Sequence, residues 1–85
     1  MPYIRQERRE VLDKYLYGLP AEIGSAGDLA YVLYRLMLSY WRAAPSYARW
    51  AELRGIVDDH VDEFRRRVVE EYENRKIGEN GDVTK

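Results

Sequence analysis

The chain has 85 residues, 46% of them apolar and 34% charged, which suits one domain with a small core and excludes wholesale disorder. Its net charge of −1 supplies no general attraction to nucleic acid or anionic membrane, and the lack of cysteine excludes disulfides, thiolate metal sites and thiol catalysis. No apolar run approaches the ~18 residues of a membrane span, and the charges at Arg5, Glu7, Arg8, Arg9, Glu10, Asp13 and Lys14 speak against a signal peptide, so the expected location is cytoplasmic.

The opening residues Met1 to Ile4 read as an extended lead, because Pro2 disfavours helix before it. Ile4, Val11, Leu12, Tyr15 and Leu16 then mark one helical face, and Gly18 followed by Pro20 supplies a stop, so a first helix is expected over about 6–17. Residues 19–27 carry Pro20, Gly24, Ser25 and Gly27 and read as a connector, with a single turn after Pro20. A mobile binding loop is the functional alternative for this stretch.

A second helix is expected over about 28–43, with Ser25 or Asp28 as its cap. Its stripe of Leu29, Val32, Leu33, Leu36, Met37, Tyr40 and Trp41 is widened by Ala30, Tyr31, Tyr34 and Leu38, so it is apolar around most of the cylinder. Such a helix is usually covered on more than one side. Arg35 stands alone in that surface and calls for a carboxylate partner or a path to water. Pro45 ends the helix, and Ser46 is a good cap for the next.

The third helix organises the chain. Trp50, Leu53, Val57, Val61, Phe64, Val68 and Tyr72 recur every three or four residues, which is one face of an α-helix. It is expected over about 46–75, with a possible bend at Gly55 and an irregular tail over 77–85 announced by Asn80-Gly81. The stretch from Trp50 to Arg75 alone spans about 37 Å, against about 18 Å and about 24 Å for the first two helices. The sequence therefore predicts an all-α fold of three main helices, the C-terminal one long, forming a small bundle. The uncovered end of the long helix calls for a second copy, since symmetric dimers are the commonest oligomers.

Several constellations carry groups capable of chemistry. Asp58, Asp59, Asp62 and Glu63 place carboxylates at i and i+4, a spacing that can hold Mg²⁺ with waters. The second helix has no acid after Asp28 to face them, so a solvated ladder balanced by Arg54 and Arg65 to Arg67 is the favoured reading. His60, the one histidine, reads as a partly buried packing residue rather than a ligand or general base. Arg65, Arg66 and Arg67 splay around a helix, and pairing with neighbouring acids competes with phosphate binding in a groove. No basic stripe or helix-turn-helix signature favours DNA.

Arginine outnumbers lysine eleven to three and tyrosine outnumbers phenylalanine eight to one. Both favoured types are enriched where proteins meet partners, although a GC-rich genome explains the arginine equally well.

The start Met1-Pro2-Tyr3-Ile4, the run Gly27-Asp28-Leu29 with Tyr31, and Gly55-Ile56-Val57-Asp58 carry a resemblance. So do Glu63-Phe64-Arg65-Arg66-Arg67-Val68, Tyr72-Glu73 with Lys76, and Glu79-Asn80-Gly81-Asp82-Val83. Over most of its length the chain resembles a small uncharacterised family of phage and bacterial proteins. It departs from that pattern at Glu71, where a proline tends to precede the tyrosine, which implies a longer helix here. The resemblance implies a phage or prophage setting, hence the host cytoplasm, and no established activity.

Together these readings lead to an expectation of a non-enzymatic, homo-oligomeric binding protein without a cofactor or metal. Its partners would be itself and a phosphate-bearing small molecule, such as a nucleotide-like immune signal sequestered between subunits. Tyr3, Arg5, Arg66, Arg67, Tyr72 and Lys76 are the candidate ligand-binding residues, arginine for phosphate and tyrosine for stacking on a base. Two alternatives stand beside it: an interaction module that inhibits a host or phage partner through exposed Tyr, Trp and Leu, and a Mg²⁺-dependent nucleotide hydrolase built on the acidic cluster.

Overall fold

The computed structural model describes residues 4–84. Among them the fold is all-α, without strands, and has three main helices of which the C-terminal one is long. The described residues divide into two compact units, 4–53 and 54–84.

In the first unit, α1 spans Gln6–Leu16. Arg5 is its extended N-cap and offers its carbonyl to the N–H groups of Arg8 and Arg9, each at 3.0 Å. The Arg9 Nε donates to the Ile4 carbonyl at 3.0 Å, tying the lead back onto the helix. The stop is Gly18, whose φ of +88° is one that side chains with a Cβ rarely adopt. A single turn, α2 (Leu19–Glu22), follows, with Pro20 in its first turn, where no backbone N–H is needed.

Helix α3 spans Ala26–Ala43, starting two residues before the expected 28. Ser25 is the cap that forms: its Oγ accepts from the Asp28 N–H at 3.1 Å, while Asp28 Oδ2 accepts from the Gly24 N–H at 3.0 Å. This reciprocal arrangement satisfies two donors that would otherwise lack partners at the helix start. Arg35 is exposed, so the anticipated burial of a lone charge does not arise. Pro45 ends α3, and Ser46 caps α4 (Tyr47–Phe64) by accepting from the Arg49 N–H at 2.9 Å.

Helix α4 runs through Gly55 without interruption. It passes into a π-helical turn, Arg65–Val69, and then into α5, Glu70–Asn80. Phe64, Val69 and Glu70 all have right-handed helical dihedrals, so the backbone is continuously helical from Tyr47 to Asn80. That is 34 residues.

The expected end near 75 and the irregular tail from 77 are corrected: Ile77–Asn80 are helical. No proline interrupts these residues, so the helix runs on. Gly78 costs only about 1 kcal/mol relative to alanine. The actual stop is Gly81, at φ +82°, whose N–H closes the last turn onto the Ile77 carbonyl at 2.8 Å. Beyond it Asp82 Oδ1 accepts from the Thr84 N–H at 2.9 Å and hydroxyl at 2.7 Å, which holds its carboxyl below the usual range.

Among the described residues, Leu53 is the one buried hydrophobe, at 8% exposure. Val32, Met37 and Leu38 on α3 are half-buried, as are Leu19 and Ile23.

Candidate interaction groove

An apolar hollow lies in the first unit, between the C-terminal half of α3 and the start of α4. Helix α3 contributes Tyr34, Met37, Leu38 and Trp41, which share one face at helical spacing. Helix α4 contributes Tyr47, Trp50 and Leu53, each three residues apart, with Ser46 at the turn between the walls. The groove encloses about 500 Å³, within the range of ligand and peptide sites. Tyr47 is 85% exposed and Trp50 44%, so the rim is open while Leu53 closes the floor.

A polar clasp at Tyr40 holds the two walls together. The Tyr40 hydroxyl donates to Glu52 Oε1, and the Arg49 guanidinium sits 3.9 Å from the centre of the Tyr40 ring. Arg49 also donates to Glu52 at 3.3 Å. The hydrogen bond to Glu52 raises the Tyr40 pKa above its ordinary 10.0. The same bond, helped by Arg49, lowers the Glu52 carboxyl. The clasp thus keeps a proton on Tyr40 and a charge on Glu52, and fixes the separation of the groove walls.

The residues expected to bind a ligand are dispersed. Tyr3 lies outside the described residues. Arg5 caps α1 in the first unit. Arg66 and Arg67, in the second unit, both pair with Glu63. Burial pushes the Glu63 carboxyl up, but the hydrogen bond from Arg66 and the two positive charges outweigh it and leave it below its ordinary value. Tyr72 and Lys76 do come together: Lys76 Nζ lies 5.6 Å from the Tyr72 ring centre, with Arg75 Cζ at 6.0 Å. Their hollow, shared with Arg75 and Glu79, is about 120 Å³, and Lys76 is 3.3 Å from Glu79. Arg66 lines a different hollow of about 260 Å³ with Asp59, His60, Asp62 and Glu63. The structure therefore does not gather Arg66, Arg67, Tyr72 and Lys76 into one pocket.

The acidic cluster is a solvated ladder. Asp58 pairs with Arg54 at 3.8 Å and Asp62 with Arg65 at 3.7 Å, one turn apart along the helix. Among the described residues, no group of three or more His, Asp or Glu side chains is placed to hold a metal ion. His60 is exposed rather than partly buried, and its Nδ1–H donates to the Ile56 carbonyl at 2.7 Å. That bond ties the ring to its own helix and corrects the packing role expected for it.

Sequence reasoning placed the groove aromatics in a core stripe. A signal was present: Trp41 and Trp50 flank the Pro45-Ser46 break, so the richest parts of two apolar faces are brought alongside each other by a short turn.

Fold and groove define a small all-α protein in which an aromatic-lined cleft is set between two helices joined by a short turn. The chain belongs to a family known as a domain of unknown function, DUF6899, whose model matches residues 1–83. Comparison with curated proteins and with solved structures returned no significant match.

Proposed function

We propose that this chain is a non-enzymatic interaction module whose groove receives the apolar face of an acidic amphipathic helix from a partner protein. The single observation that carries this reading is the open aromatic wall of Tyr34, Trp41, Tyr47 and Trp50 around Leu53. Helix-in-groove recognition uses such a cleft to take side chains at i, i+3, i+4 and i+7. Aromatic rings give large contact area for little lost conformational freedom, which is why they dominate binding hot spots.

Charge selects the partner. Arg35 and Arg42 each follow a groove residue directly, stand seven positions apart on one flank of α3, and are exposed. Two arginine forks at that spacing suit carboxylates about two turns apart on a docked helix. The test is a fluorescence titration of Trp41 and Trp50 with a designed helical peptide bearing leucines at i, i+3, i+4 and i+7 and glutamates on its flanks. Saturable emission change that is lost in Trp50→Ala, and weakened when the glutamates become lysines, is expected. No saturable change with either peptide overturns the reading.

A second reading, sequestration of a phosphate-bearing small molecule by a homo-oligomer, draws on Tyr72 with Lys76 and Arg75 beside it. Its weakness is size, because about 120 Å³ is below the ~300 Å³ at which ligand pockets begin. It therefore needs a second copy to complete the site. A thermal-shift panel of nucleotides against the wild-type chain and Tyr72→Ala tests it, with stabilisation confined to the wild type as the supporting result.

A further inference from the structure

The second unit presents an apolar stripe on its helix. Val61 is 63% exposed, Phe64 60%, Val68 49% and Tyr72 51%, with Val57 half-buried at the head of the row. The π turn at Arg65–Val69 lies within this row. In a regular α-helix, at about 100° per residue, Tyr72 would stand about 60° and Lys76 about 100° round from Val57. A π turn of this length falls behind by roughly 90°, about one residue. That loss returns Val69, Tyr72 and Lys76 to within about 30° of Val57. The irregularity keeps the stripe straight, as a long helix–helix seam requires.

The row also has a centre. Counting outward from Phe64, apolar residues lie three and seven positions before it (Val61, Val57) and four and eight after it (Val68, Tyr72). Charge is reversed across the same point: Asp58, Asp59, Asp62 and Glu63 precede Phe64, and Arg65, Arg66 and Arg67 follow it. A two-fold axis between Phe64 and Arg65 with the helices antiparallel sets Val57 against Tyr72, Val61 against Val68, and Asp62 and Glu63 against Arg67 and Arg66 of the other copy, with Asp58 and Asp59 falling against Glu71 and Glu70 at the ends. A parallel pair would oppose acid to acid and base to base, which is destabilising.

We infer that residues 57–72 pair antiparallel with the same segment of a second copy, about a two-fold axis between Phe64 and Arg65. The pairing uses none of the residues that line the groove, so peptide titration and dimerisation can fail separately.

The chain has no cysteine, which makes single introduced thiols clean reporters of register. Under mild oxidation the full chain carrying Val61→Cys alone is expected to give little cross-linked dimer. Mixed in equal amounts with Val68→Cys, it is expected to give a disulfide-linked heterodimer at least fivefold more abundant than either homodimer. Efficient cross-linking of Val61→Cys alone would show parallel strands and overturn the register. Light scattering of the wild type, unmodified, should show a dimer, and Phe64→Asp should weaken it at least tenfold with its helical circular dichroism unchanged. A wild-type chain that stays monomeric at several hundred micromolar overturns the inference, and leaves the stripe to a different partner.

Discussion

Tyr40 donates a hydrogen bond from its hydroxyl to Glu52 across the turn between α3 and α4, with the Arg49 guanidinium lying over the tyrosine ring. This one hydrogen bond acts on both partners in opposite senses, raising the tyrosine pKa and lowering that of the carboxyl.

A pH dependence with two edges follows. Glu52 is lowered, so its contribution is present above its ordinary 4.5 and is lost as pH falls through the lowered folded value. Tyr40 is raised, so its contribution is present below 10.0 and is lost as pH rises through the raised folded value. Thermal melts should therefore be flat near neutrality and fall at both extremes. Tyr40→Phe should flatten the alkaline edge and reduce the acid edge, which Glu63 and Asp82, also lowered, still maintain.

Leu53 is the floor of the groove. Leu53→Ala should destabilise the chain by about 2–4 kcal/mol in urea titration, from lost burial and the cavity left behind. Tyr17→Ala, at a side chain 91% exposed, should fall within about 0.5 kcal/mol of wild type.

The two positive-φ glycines resist replacement. Gly18→Ala and Gly81→Ala should each cost about 1 kcal/mol, because alanine at their φ of +88° and +82° is strained although space around both positions is open. Gly78→Ala, inside α5, should instead stabilise by up to about 1 kcal/mol. Denaturant midpoints for the three variants check the contrast in sign.

Ser25 and Ser46 each accept the N–H three residues on. Ser25→Ala and Ser46→Ala should each cost about 1 kcal/mol in chemical denaturation, and Ser→Asp at either site should recover most of that loss.

The helices were legible because periodicity and punctuation agree in this chain. Gly18, Pro20, Pro45 and Ser46 mark breaks that the structure places within one or two residues of the expected positions. The end of α5 was missed because the Asn80-Gly81 signal was spread backward over residues that had no reason to leave the helix. The π turn has no signature in residue types, since Arg65–Val69 continue the same three-and-four spacing as their neighbours. Of the expected ligand-binding set, Tyr72 and Lys76 met because they are four apart on one helix. Arg66 and Arg67 turned to Glu63, an acid within their own turn, which the sequence had offered as the competing outcome. The groove escaped notice because a half-open tryptophan and a buried one look the same in a hydrophobic pattern.

All eight residues that form the groove fall between Tyr34 and Leu53, a stretch of 20 consecutive positions joined by the brief Ala44–Ser46 corner. Contacts of such short sequence separation close with little entropy loss, on the microsecond scale of helix growth. The groove can therefore close as one local helix pair, whatever the remaining residues do.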